Sequence, residues 1–352
     1  MTSVHAQSDT GIAEPPEWRG TALTPLTADT AFNGFVGTHV VFALDRLGVF
    51  AELDAGGALE SAAFCARHGL DDAVFGALVS SAEAFGLVRV DGGGFSLTEE
   101  GRRCRHLVGF FTWAVGGYHD VFAGAAAIAS GRRKFGVDVL RDEAMVALGS
   151  TQADTALMRH LLGEEMAHVD FSVLADLGSG TSDRLCRMVT AHGGRGIGLD
   201  ISASATELAV ENVASYGLGD RVKPVRADVR EVLAGAQRVD GADEVDVVMS
   251  FMFFHDLLAD PVHGDNVVPL LRAAFPNAHT FLIADTVIRP RDAGGTSLPV
   301  FSSGFELAHA LMGVPLHTRE AYEELFERGG LTVRRTVPFG APHTFLFVLE
   351  AQ

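Results

Sequence analysis

Two stretches of this 352-residue chain hold side chains whose types and spacing fit chemistry. In the first, Met249-Ser250-Phe251-Met252-Phe253-Phe254-His255-Asp256-Leu257, an apolar run delivers a His-Asp pair. Such an approach strips water from an imidazole, which favours a functional role for His255 over a structural one. In the second, the apolar segment Val173-Leu174-Ala175-Asp176-Leu177 breaks into Gly178-Ser179-Gly180, and a helix-length interval later comes Gly196-Ile197-Gly198-Leu199-Asp200. Glycines at the end of a buried strand let backbone pass close to a ligand, and an acid closing the next strand can accept from both hydroxyls of a ribose. Where a third glycine would seat a pyrophosphate stands Asp183, whose charge repels that group. The ligand favoured is a nucleoside with a cationic or zwitterionic tail, and S-adenosylmethionine fits.

Positioning these groups requires an open α/β sheet, whose crevice lies outside the carboxyl ends of the strands. From Phe171 onward the periods alternate as in a doubly wound, Rossmann-like fold, with parallel strands at Val173 to Leu177, Gly196 to Asp200, Val222 to Ala227, Val245 to Phe251 and Thr280 to Ala284. Leu331 to Pro338 and Thr344 to Glu350 are joined by Gly340-Ala341-Pro342 with no helix between, which predicts a hairpin whose last strand runs antiparallel at the edge of a seven-stranded sheet. Cofactor residues expected at the strand ends are Asp176, Gly178, Ser179 and Gly180, then Asp200 and Ile201, Asp228 and Val229, and Ser250 and Phe251. Asp200 is assigned the ribose hydroxyls and Asp228 the adenine amine. One Asp after a strand is ordinarily a helix cap or turn residue, but three at the right ends favour the cofactor reading.

Ahead of the sheet, Ala31 to Arg105 reads as helices over Phe35-Val36 to Val49-Phe50, Leu59 to His68 and Asp72 to Phe85, followed by two short strands around Asp91-Gly92-Gly93-Gly94. This is a winged-helix outline. Its third helix carries Asp71, Asp72 and Glu83 without Lys or Arg, the wrong charge for a DNA groove, so dimerisation is the expected use. The expected partition is a disordered tail over 1–28, a dimerisation domain over 29–105, a helical roof over 106–167 and the cofactor-binding domain over 168–352. With 45 acidic and 27 basic side chains the chain carries a formal charge of −18, which opposes nucleic acid and anionic membrane and favours a small-molecule substrate. Cys65, Cys104 and Cys186 have no metal spacing and cannot all pair, as in a cytoplasmic protein. Neither a signal peptide nor a membrane-length apolar run is read.

The order of these elements and motifs resembles, over nearly the whole chain after the tail, the small-molecule methyltransferases with a winged-helix dimerisation domain ahead of a Rossmann-like S-adenosylmethionine domain. In their O-methyltransferase branch the motif after the fourth strand is Lys-x-x-x-His-Asp-Trp, its His the general base; here Phe251 and Leu257 replace the Lys and Trp. A narrower likeness is to antibiotic-pathway C-methyltransferases of phenylpyruvate type, which methylate the β-carbon of 2-oxo acids. That resemblance implies a metal ion on His255, Asp256 and His309, with His309 in Phe305-Glu306-Leu307-Ala308-His309. Two His and a carboxylate suit non-haem iron first and zinc second. The chemistry supports a cation independently, because one chelated by the keto oxygen and carboxylate would stabilise the enolate formed from a weakly acidic β-hydrogen.

For the substrate carboxylate Arg141 is the first choice, with Arg132 and Arg133 behind it, and Trp113 and Met252 are candidates for the pocket wall. The alternative is O-methylation of an aromatic hydroxyl with His255 as base, oriented by Asp285, Glu306 or Glu320. A nucleoside-sensing DNA-binding regulator is disfavoured by the acidic third helix. The resemblance implies a homodimer.

Overall fold

The computed structural model describes residues 21–22, 26–289, 297–298 and 300–352, so most of the tail expected over 1–28 lies outside the described residues. The first helix, Ala28–Arg46, opens on a reciprocal Thr27/Thr30 capping box. It does not continue to Phe50 as the periodicity suggests. Gly48, at φ 79°, turns the chain into a separate helix, Val49–Gly56. Leu59–Glu60 is likewise a strand (β1), because Leu59 pairs with Phe95 and the Glu60 carboxylate caps the helix Ser61–His68. After Asp72–Ala84, capped by Asp71, come β2 (Val88–Asp91) and β3 (Gly94–Leu97), the expected wing. Leu44, Phe64, Phe75 and Phe95 fill the core between wing and helices.

The roof is built on two helices that cross through glycines. Val108–Phe111 runs into a π-turn, Thr112–Gly117, and both pass against Glu143–Ala153. A Cβ on Gly149 would stand 2.8 Å from the Gly109 carbonyl oxygen, and one on Gly109 would stand 2.5 Å from that of Gly149. Backbone cannot yield as a flexible side chain can. Gly149→Ala is therefore expected to destabilise the protein by about 1–3 kcal/mol, read as a lowered thermal unfolding midpoint.

The seven-stranded sheet comprises β4 (Val173–Leu177), β5 (Arg195–Asp200), β6 (Val222–Arg226), β7 (Val247–Phe251), β8 (Thr280–Thr286), β9 (Leu331–Pro338) and β10 (Thr344–Ala351). Their order is β9-β10-β8-β7-β4-β5-β6, with β8 to β6 mutually parallel. β10 is antiparallel to both neighbours, as expected, but it is inserted between β8 and β9. The edge belongs to β9. Insertion buries Phe345 and Phe347 from β10 in the core, which suits its apolar run, whereas β9 carries the exposed Arg334 and Arg335. The order reverses between β4 and its neighbours β5 and β7, which opens a crevice at their carboxyl ends. Among the described residues no single helix is long and apolar enough to cross a membrane.

Candidate active site

The crevice and roof enclose a cavity of about 580 Å³ into which the ends of β4, β5, β6 and β7 all open. Gly178 lines it at φ 70°, and a Cβ there would stand 2.6 Å from the Phe253 ring, so no other residue fits. The loop closes at Ser182, left-handed at φ 54° and buried, whose hydroxyl lies 2.7 Å from that of Ser179. Asp183 then begins the helix Asp183–His192, where it accepts from the Tyr216 hydroxyl (2.8 Å) and Arg187 Nε (2.9 Å). Its charge is thereby compensated.

Asp200, at the end of β5, accepts from the backbone of Gly180 at 2.8 Å and of Ser202 at 2.9 Å, tying the glycine loop to the second strand. Ile201 and Val229 form cavity wall. Asp228 lines the cavity too, but its carboxylate caps Val229–Leu233 and is held by Arg230 (2.7 and 3.0 Å), whose hydrogen bonds keep its pKa below the usual range. The ordinary capping role is thus present, and the carboxylate is engaged by Arg230. Asp176 is completely buried with neither oxygen hydrogen-bonded, and burial pushes its pKa up to about 7 despite Arg184 nearby. Phe251 faces the cavity beneath the Arg184 guanidinium, 4.1 Å from its ring centre. Ser250 does not line the cavity, because alternation along β7 sends it to the other face.

At the other end of the cavity the His-Asp pair opens the helix Phe254–Leu258, and His309 arrives on Ser302–Met312. His255 Nδ1 donates to Asp285 Oδ1 at 2.7 Å, and His309 Nδ1 donates to the Phe305 carbonyl at 2.7 Å. A carbonyl only accepts, so the proton of neutral His309 resides on Nδ1 and Nε2 presents a lone pair. The two Nε2 atoms face each other at 3.0 Å, both rings buried. Two lone pairs at that distance require a cation between them, either a proton or a metal ion. Burial would depress His255, but Asp285 and Asp256 override it and raise its pKa; burial and then His255 drive His309 down to about 3.

Asp256 is less engaged. Its Oδ1 lies 4.0 Å from His255 Nε2 and its Oδ2 lies 4.0 Å from Arg141 Nη2. Among the described residues no group of three or more His, Cys, Asp or Glu side chains is placed to hold a metal ion. Two of the three expected donors face each other and the third stands aside. Asp285 is the one of the three candidate orienting acids that meets His255; Glu306 pairs with Arg289 at 2.8 Å and Glu320 with Arg319 at 3.4 Å. Arg141 lines the cavity and donates to the Tyr118 hydroxyl at 3.0 Å, whereas Arg132 and Arg133 bond Ser130 and the Asp138 carbonyl away from it. Trp113 stacks on Tyr118 at 4.0 Å and packs edge-on to Phe301. Met252 enters the wall at φ 58°, where β7 ends.

Several residues of this site were not singled out by sequence reasoning. Tyr322 donates to Asp285 Oδ2 at 2.9 Å from the helix Arg319–Arg328. Asp154, buried in the π-turn Asp154–Met158, accepts from Arg184 at 3.1 Å and from Arg187. Phe301 lines the cavity at φ 77°. These partners are 30 or more residues apart in sequence, and only three-dimensional packing brings them together.

No family model matches the chain. It is 29% identical over 321 residues to the indolepyruvate C-methyltransferase of Streptomyces griseus, covering 91% of this chain and 93% of that protein. It is also 29% identical over 245 residues to methyltransferase ungE' of Aspergillus campestris, covering 66% and 68%. Among solved structures, the O-methyltransferase NcsB1 from neocarzinostatin biosynthesis, in complex with S-adenosyl-L-homocysteine and 1,4-dihydroxy-2-naphthoic acid, superposes with a TM-score of 0.59 at 20% identity, covering 94% of this chain and 100% of that one. The fold, the glycine loop with its strand-end acids and these likenesses together mark the chain as an S-adenosylmethionine-dependent methyltransferase.

Proposed function

We propose that this enzyme transfers a methyl group from S-adenosylmethionine to the β-carbon (C3) of an aromatic 2-oxo acid, in the making of a natural-product precursor. The observation that carries the reading is the pair of Nε2 atoms held face to face at 3.0 Å. A general base needs a free lone pair aimed at the substrate hydroxyl, but His255 Nε2 is aimed at His309 Nε2. That disfavours O-methylation. Two donors support a metal ion: both imidazoles have their Nδ1 protons fixed by acceptors behind them, leaving Nε2 for ligation. His255 and His309 would hold it with Asp256 as third donor, non-haem iron being favoured over zinc. Bound there, the ion supplies Lewis acidity at the keto oxygen, which makes the β-hydrogen easier to remove.

Asp200 receives the ribose hydroxyls, Asp228 the adenine amine, and the loop Gly178-Ser179-Gly180 lies along the methionine portion, with Asp176 buried behind the loop and outside the cavity lining. Arg141 takes the substrate carboxylate, and Trp113, Phe301 and Phe305 wall the side-chain pocket with aromatic faces. In the transfer the C3–H pair becomes the new C3–methyl bond, the sulfur–methyl bond breaks onto sulfur, and the proton passes to solvent. Residues 29–105 serve as the dimerisation module of a cytoplasmic homodimer, 106–167 as the roof, and 168–352 as the catalytic domain.

Asp200→Ala is expected to weaken S-adenosylhomocysteine binding by roughly 10- to 100-fold in a calorimetric titration, since it removes a charged acceptor. Metal analysis of the purified protein tests the reading. A stoichiometric ion that is lost in His309→Ala supports it, and no metal in either protein contradicts it.

A further inference from the structure

We infer that Tyr322 is a positioning residue for the His255 ring, acting through Asp285. Asp285 is fully buried and takes four hydrogen bonds: from His255 Nδ1 (2.7 Å), the His255 backbone (2.8 Å), the Thr286 backbone (2.9 Å) and the Tyr322 hydroxyl (2.9 Å). Two of these donors are backbone of the segments that carry the acid and the histidine themselves. Tyr322 alone arrives from elsewhere, on the helix Arg319–Arg328, and it bonds Oδ2, the oxygen that does not meet the ring. Fixing Oδ2 from outside fixes the carboxylate plane, and that plane sets where Oδ1 holds the Nδ1 proton and hence where Nε2 points.

The tyrosine ring is clamped as firmly as its hydroxyl. It is fully buried, within 6.0 Å of Phe326 and 5.4 Å of Phe347 between ring centres, and a further 6.4 Å from Phe254, the residue before His255. A purely apolar role would be met equally by phenylalanine. A buried phenol is retained only where its hydroxyl has a partner, and here that partner is the acid behind the histidine.

The test uses the full-length chain with ¹⁵N-labelled histidine, and the reporter is the far-downfield Nδ1 proton signal of His255, assigned by its loss in His255→Gln. Tyr322→Phe keeps the ring packing and is expected to move or broaden that signal. Phe326→Leu, which thins the same core without touching a hydrogen bond, is expected to leave it in place. The second readout is a zinc titration, in which Tyr322→Phe is expected to bind about 10-fold more weakly than wild type. A signal unchanged in Tyr322→Phe overturns the inference whatever the zinc result. A signal that moves while wild-type protein takes up no zinc upholds it and removes the metal reading proposed above, on which only the second readout rests.

Discussion

His255→Ala and His309→Ala are expected to fail together, each lowering kcat/KM for methyl transfer by about 10³-fold. The expectation follows from their shared geometry. Each ring is held from behind by its own acceptor, Asp285 for one and the Phe305 carbonyl for the other, and each offers Nε2 to the same point. Removing either leaves one donor where two are needed, so the double variant should be scarcely worse than either single one. Neither histidine stands by the glycine loop, and calorimetric S-adenosylhomocysteine affinity should stay within about 2-fold of wild type, well below the effect of losing a bond to charge. If His255 acted alone as a base, His309→Ala would leave the rate nearly intact. Steady-state kinetics on the pair separates the two mechanisms.

The second large effect is on stability. Asp285→Ala removes the acceptor for four donors in a site closed to water, leaving a histidine, a phenol and two backbone amides unpaired. Breaking a buried pair in this way costs about 3–5 kcal/mol, which for a chain of this size lowers the unfolding midpoint by about 4–7 °C. Asp285→Asn preserves volume yet offers a single acceptor oxygen where the carboxylate offered two, and its own amide hydrogens face donors. It should lose most of that stability as well. Thermal unfolding followed by circular dichroism checks both, and a midpoint within a degree of wild type for Asp285→Ala would show that the network contributes little.

Much of the fold is legible because its strands announce themselves. A parallel strand covered on both faces is a nearly continuous apolar run, and the bounds of Val173–Leu177 are legible in the sequence for that reason. The glycine loop, Asp200 and the wing are equally local, each needing only its own neighbours. Legibility ends where two distant segments meet. The Gly340-Ala341-Pro342 turn says that β9 and β10 pair, but whether β10 lies at the edge or between β8 and β9 depends on which apolar face the sheet must cover. Ser250 and Phe251 share a strand end, yet alternation gives only Phe251 to the cavity. Leu59 reads as helical because its pairing partner, Phe95, lies across the wing. His309 reached the site through resemblance alone, since no local pattern distinguishes it from His279, which bonds Thr280 on the far side. Tyr322 gave no signal, because its meaning lies in a hydroxyl 2.9 Å from an acid on another element.

The most direct measurement is the position of the new methyl group when an aromatic 2-oxo acid is incubated with enzyme and ¹³C-methyl S-adenosylmethionine. The proposed chemistry predicts a labelled methyl whose protons couple to a single hydrogen at C3, with the 2-oxo group intact. A labelled methoxy signal from a phenol, with every 2-oxo acid left unmethylated, would contradict it and return His255 to the role of general base.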